Sequence, residues 1–145
     1  MNTILLQSLK NCLADVFTFY LKAHFFHWNV VGQDFMQYHE LFAKIYEQAF
    51  AEVDTIAELI RTLDDVAPGS MARFKELTKI QEAESVPDIR SMVMQLLSDN
   101  DIVLSCLYIT YKTAEDTGEI GVSNAIQNMI TDHQKLSWFL RASSK

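Results

Sequence analysis

Chain breakers are scarce. Two prolines and four glycines are spread over 145 residues, of which 49% are hydrophobic, so long segments run uninterrupted and the chain fits one compact helical domain over 1–145 with a sizeable core. No second domain is needed, and no internal repeat or low-complexity segment occurs. Cysteine is equally sparse. Cys12 and Cys106 stand alone in two apolar helical stretches, which excludes a CxxC zinc or redox site and reads as two buried small hydrophobes in a reducing, cytoplasmic protein. An apolar run long enough for a bilayer is missing too: Lys22, His24 and His27 interrupt the most hydrophobic stretch, and no basic segment precedes it, so neither membrane insertion nor secretion is expected. Positive charge is in deficit, with 12 Lys and Arg against 19 Asp and Glu and a net charge of -7. That balance repels polyphosphate unless a local patch overrides it. Only Met1-Asn2-Thr3 precede the first helical stretch, and the tail carries just Arg141 and Lys145, so no phosphate clamp is expected at either end.

What is present is helical periodicity. Residues 3 to 31 read as one helix and 34 to 64 as a second, with Gly32 at the bend and Asp34 as an N-cap. The segment 64–70 has turn chemistry, and Met71 to Ile80 could form a short crossing helix. Ser85 is expected to cap the next long helix, with Pro87 in its first turn and Asp88 completing a capping box. That helix runs to about Glu115, its core stripe marked by Met92, Leu96, Leu97, Val103, Leu104, Leu107 and Tyr111. Gly118 and Gly121 bracket the turn to a last helix, roughly 120 to 142.

The residues that carry chemistry lie on the first two helices. His27 is five residues before Gly32 and His39 seven after it, so an antiparallel hairpin brings both imidazoles to one end. Asp54 is fifteen residues past His39, roughly 22 Å down the same helix at 1.5 Å per residue. At 100° per residue Asp54 and Glu58 return to within roughly 60–100° of His39, one broad stripe. A single chain therefore cannot close a site from all four. A two-fold partner packed antiparallel on that stripe can, bringing its Asp54 and Glu58 to this chain's His27 and His39. Imidazoles with carboxylates are the donors of a non-haem iron site. Taken singly, each has a structural reading: a histidine satisfied by polar neighbours, or an acidic pair on a solvated face with Arg61 near Glu58.

The run Lys22-Ala23-His24-Phe25-Phe26-His27-Trp28-Asn29-Val30-Val31-Gly32, then Phe35, His39, Phe42 and Val53-Asp54-Thr55-Ile56-Ala57-Glu58, resembles the Dps family, the mini-ferritins named as DNA-binding proteins from starved cells. Asp132 to Arg141 is similar, more weakly, to that family's last helix. The resemblance implies an all-α, ferritin-like four-helix bundle with a short extra helix between helices 2 and 3, assembled into a hollow homododecamer. It implies a ferroxidase that oxidises Fe(II) with peroxide or dioxygen and stores ferric iron against oxidative damage, with iron and no organic cofactor. The matching ligands are His27, His39, Asp54 and Glu58. Where the family carries an acidic residue four after the second histidine, this chain has Ala43, whose methyl cannot ligate a hard cation; Glu47 lies roughly 80° round the helix from His39. The family's acidic iron-entry pores would correspond to Glu115, Asp116 and Glu119, with Asn124 where another carboxylate would be welcome. DNA binding, which in the family often uses a lysine-rich terminus, is not expected. Trp28 reads as an interface or core aromatic that the resemblance also makes a trap for oxidising equivalents. His24 is expected as a core or supporting residue and His133 near the surface.

Two other classes compete. A conventional di-iron bundle enclosing its site wants a Glu-x-x-His pair on each of two helices, and this chain has none. The alternative of the same fold is a cage or interaction protein whose metal site is weakened or inactive, and Ala43 is its first sign.

Overall fold

Apolar side chains at helical spacing collapse onto one axis and leave the few breakers at the corners. The computed structural model describes residues 2–145, as α1 (Thr3–Asn29), α2 (Phe35–Thr62), the short α3 (Met71–Leu77), α4 (Ile89–Asp116) and α5 (Ile120–Ser143). Asn2 opens α1, its side chain accepting from the Leu5 amide at 3.1 Å. The α1–α2 corner turns at Gly32, whose φ of +124° disfavours any residue with a Cβ. Asp34 sits at the N-cap of α2 but makes no side-chain cap bond there. Gly118, at φ +74°, turns the chain from α4 into α5.

Cross-helix contacts set the directions. Ser8 meets Thr110, Cys12 meets Cys106 and Lys22 meets Asp99, so α1 and α4 run antiparallel. His27 against His39 makes α1 and α2 antiparallel, and Tyr38 to Ser143 with Glu52 to His133 does the same for α2 and α5. Two hairpins, α1–α2 and α4–α5, thus pack into a four-helix bundle, and the long connection carrying α3 lets α2 and α4 run parallel. Phe19, Phe26 and Phe42 are fully buried at its centre, each contributing about 2–3 kcal/mol of transfer free energy. α4 alone among the described helices is long and apolar enough for a bilayer span, yet Met92, Val93, Leu96, Val103 and Leu107 on it belong to the bundle core.

The connection is pinned to α1. The buried carboxylate of Asp15 accepts from Thr78 Oγ1 and from the Lys79 amide, both at 2.8 Å, although burial still pushes its pKa up. Lys22 Nζ donates to the Gln81 carbonyl at 3.0 Å and stands 2.9 Å from Asp99 Oδ2. The expected Ser85 cap is corrected: α4 begins at Ile89, and its N-cap is Asp88, which accepts from the Ser91 amide at 2.8 Å. Ser85 lies at a bend and Pro87 in irregular chain before the helix, because the Asp88 carboxylate takes the free Ser91 amide and leaves Ser85 nothing to cap. The crossing helix also ends earlier than expected, at Leu77, where Thr78 turns extended to reach Asp15.

Candidate metal centre

His27 and His39 meet at the end of the first hairpin, and each holds the other in place. Their rings stack with centroids 3.7 Å apart and 16° between planes. His27 Nδ1 lies 2.7 Å from the His39 carbonyl oxygen, and His39 Nδ1 lies 2.8 Å from the His27 carbonyl oxygen. A carbonyl can only accept, so each Nδ1 carries the proton and donates. In the neutral ring this leaves the lone pair on Nε2, the form in which imidazole binds a metal. Backbone geometry at the hairpin corner has thus selected the tautomer of two side chains. Both rings are half-buried, and Phe35 stacks on the far face of His39 at 4.9 Å.

Aromatic side chains continue from the pair. Tyr46 packs edge-on to His27 at 5.0 Å and stacks on His24 at 3.8 Å with 6° between planes. Tyr20 Oη is 3.0 Å from His24 Nδ1, and the Trp28 ring lies 4.1 Å from His24. Burial first, and the neighbouring His27 second, push the His24 pKa down, so this ring favours the neutral state. Its supporting place matches the sequence expectation. Tyr46 was not anticipated, although it follows His39 by seven residues and therefore shares its helix face. Trp28 is exposed in the subunit, which rules out the core half of its expectation.

Asp54 and Glu58 lie elsewhere on α2. Both are exposed, and a hydrogen bond and the charge of Asp54 together raise the Glu58 carboxyl above its usual range. The two carboxyls stand one turn apart, and the negative charge of one disfavours ionisation of the other. α2 is continuous from Phe35 to Thr62, so His39, which meets His27 of α1 near the start of α2, sits well apart from the acidic pair along that helix. Among the described residues, no three His, Cys, Asp or Glu side chains converge on a metal position within the chain. Arg61 does not engage Glu58; its guanidinium donates to the Asp65 carbonyl at 2.7 Å. Ala43, one turn after His39 on α2, is half-buried, and Glu47 is exposed. Of the possible pore residues, Glu115 accepts from Ser123 Oγ at 3.1 Å and Asp116 lies 3.6 Å from Lys112.

His133 corrects another expectation. It is fully buried, with Nδ1 2.6 Å from Asn100 Oδ1 and Nε2 2.6 Å from Glu52 Oε1. Asn100 spends its amide hydrogens on the His133 carbonyl and Ser137 Oγ, so its Oδ1 must accept and His133 Nδ1 must donate. A proton is then required between Nε2 and Glu52 as well. Asp132 beside it in sequence suggested solvent, but the partner that decides burial is 81 residues away.

Two antiparallel helix pairs packed as a four-helix bundle, joined by one long connection, are the architecture of the ferritin-like class. The family model of the ferritin-like domain matches residues 6–144. The chain is 29% identical to DNA protection during starvation protein 2 of Bacillus anthracis, over 98% of this chain and 97% of that protein. Among solved structures, the Dps protein of Vibrio cholerae superposes with a TM-score of 0.95 at 30% identity, covering 99% of this chain and 91% of that one. Antigen TpF1 of Treponema pallidum gives 0.96 at 28% identity, covering 99% and 93%. The chain belongs to the ferritin-like family and, within it, is a Dps-family mini-ferritin.

Proposed function

We propose that the protein binds Fe(II) at a site shared by two subunits, oxidises it with peroxide or dioxygen, and stores the ferric product inside a hollow homo-oligomer, a dodecamer, limiting oxidative damage in the cytoplasm. The observation that carries this reading is the reciprocal His27–His39 brace, which engages both Nδ1 atoms in stacked rings and leaves Nε2 of each as the nitrogen available to a metal. Two neutral nitrogens bind Fe(II) without adding charge. Asp54 and Glu58 of a two-fold partner supply the oxygen donors that favour Fe(III), so the site draws the metal toward its oxidised state. Their mutual repulsion within one subunit is relieved by the cation. The brace keeps both rings oriented before iron arrives, which spares the site reorganisation. The Vibrio cholerae structure is described as a member of a superfamily of ferritin-like diiron-carboxylate proteins, which supports iron as the substrate.

Ala43 favours a second reading, a cage of the same fold with a weakened or inactive iron site, because a methyl stands where a carboxylate would complete the donor set. Anaerobic Fe(II) titration of the assembled protein, followed by stopped-flow addition of peroxide and separately of dioxygen, separates the two. The ferroxidase reading expects saturable binding at each interface site and rapid oxidation. Oxidation no faster than that of free Fe(II) supports the inactive cage. The net charge of -7 supports a cage that acts through iron and oxidant rather than through DNA.

A further inference from the structure

Cys12 on α1 and Cys106 on α4 are 94 positions apart, yet their sulfurs lie 2.8 Å from each other. Both are free thiols, and the Asp15 carboxylate stands beside them, within hydrogen-bonding reach of Cys106. That separation is inside van der Waals contact and short of the roughly 2.0 Å of a covalent bond, so pairing needs only a small shift. The two thiols differ in access. Cys12 is 1% exposed, and burial pushes its pKa well up, which keeps it protonated and slow as a nucleophile. Cys106 is half-buried and opens into a shallow surface recess with Lys79, Asp101 and Ser105. Thr110 Oγ1 lies 3.1 Å from Cys12 Sγ and is hydrogen-bonded in turn to Ser8, a hydroxyl pair beside the buried sulfur. Cys106 is the more accessible of the two, and Cys12 lies behind it.

We propose that Cys12 and Cys106 form a dithiol that hydrogen peroxide oxidises to an intrasubunit disulfide, with Cys106 the attacked cysteine and Cys12 the resolving one. Cys106 Sγ, as thiolate, attacks one peroxide oxygen; the O–O bond breaks, an S–O bond forms, and the second oxygen leaves as water after taking a proton. Cys12 Sγ then attacks the Cys106 sulfur, the S–O bond breaks, and the hydroxyl leaves as water with the Cys12 proton, for which the Thr110 hydroxyl is the nearest carrier. Two thiols lose two electrons and two protons, and one peroxide becomes two waters. The product ties the α1–α2 hairpin to the α4–α5 hairpin. Closing so long a loop restricts the unfolded chain, so the oxidised subunit resists denaturation more than the reduced one. No iron takes part.

The test uses the full-length, assembled protein, reduced, desalted and freed of iron with a chelator. After hydrogen peroxide treatment it is unfolded, alkylated with a maleimide and weighed intact. The expected product takes no maleimide, is two hydrogens lighter, regains both thiols with dithiothreitol and shows a higher urea midpoint. In Cys12→Ser the Cys106 sulfur should be trapped as a sulfenic acid that dimedone labels, and in Cys106→Ser the remaining thiol should stay reduced. If either variant fails to fold, peptide mapping of the wild-type product identifies the bond. Full maleimide labelling after excess peroxide overturns the proposal. A disulfide between subunits, or Cys106→Ser oxidising as fast as wild type, overturns it equally.

Discussion

If the iron site is shared, two inactive variants must rescue one another, and the extent of rescue is fixed in advance. His39→Ala removes one nitrogen donor, and Asp54→Ala removes one oxygen donor from the far part of the same helix. Loss of a ligand should cost each homo-oligomer at least the ~10–100-fold in metal affinity or activity that loss of a ligand's supporting partner costs. Both residues sit away from the buried core, so helicity and assembly should survive. In a mixed two-fold pair, one site combines both defects while the other takes His27 and His39 from the Asp54→Ala subunit and Asp54 and Glu58 from the His39→Ala subunit. One site in two is whole. After random exchange of equal amounts, about half the pairs are mixed, so about a quarter of all sites are complete. Stopped-flow oxidation should therefore recover to about a quarter of the wild-type amplitude, with a wild-type rate constant for that fraction. Exchange is verified by native mass spectrometry on isotope-labelled subunits. A site closed within one chain predicts no recovery, and absence of rescue in a demonstrably mixed population would falsify the shared site.

Other perturbations probe different parts of the molecule. Ala43→Glu places a carboxylate one turn after His39 and should tighten Fe(II) binding and speed oxidation, read in the same titration; unchanged stoichiometry and rate would show that the position does not face the metal. Lys22→Met leaves the Asp99 carboxylate buried without its cation and should lower stability by about 3–5 kcal/mol at neutral pH, by urea unfolding at fixed subunit concentration. Asp99 already has its pKa raised by burial against the opposing effect of Lys22, so its ionised form weakens the native state as pH rises through the raised value. Removing Lys22 raises that pKa further, so the deficit should shrink toward acid, where Asp99 is neutral in both states; a deficit that does not change with pH would implicate lost packing instead. His133→Leu strands the Glu52 carboxylate and should destabilise by several kcal/mol, and Glu52→Gln in the same chain should recover part of the loss; additive losses would show that the two do not interact.

The bundle was legible because period and breakers agreed. Gly32 and Gly118 stand at the two hairpin corners, and Met92, Leu96, Val103 and Leu107 form the buried stripe that spacing assigned to them. Convergence of His27 and His39 followed from counting residues on either side of Gly32. Their mutual backbone bonds did not, because a pattern of residue types carries no orientation of a ring. The cap of α4 was misplaced by three residues, as Ser85 and Asp88 are both good caps and only the path of the connection to Asp15 and Lys22 decides between them. His133 and the cysteine pair were missed for a related reason, since their partners lie 81 and 94 positions away. A signal did exist for the first: Glu52 falls between Ala49 and Ile56, Asn100 between Leu96 and Val103, and His133 between Met129 and Leu136, each a polar residue in an apolar register.

That buried triad also acts on how the two hairpins of the subunit come together. Each hairpin closes through neighbours in sequence, whereas α2 and α5 meet along a thin seam with Glu52 and His133 at its middle. Apolar stripes alone would tolerate a slide of one helix turn, about 5.4 Å, with most of their contact area intact. The polar groups would not, because every slipped docking strands the Glu52 carboxylate, the His133 ring and the Asn100 amide away from water, at about 1–3 kcal/mol apiece and more for the charge. The network works as a key with a single fit: the hairpins can collide in many alignments, and only one of them finds a home for the proton between His133 and Glu52.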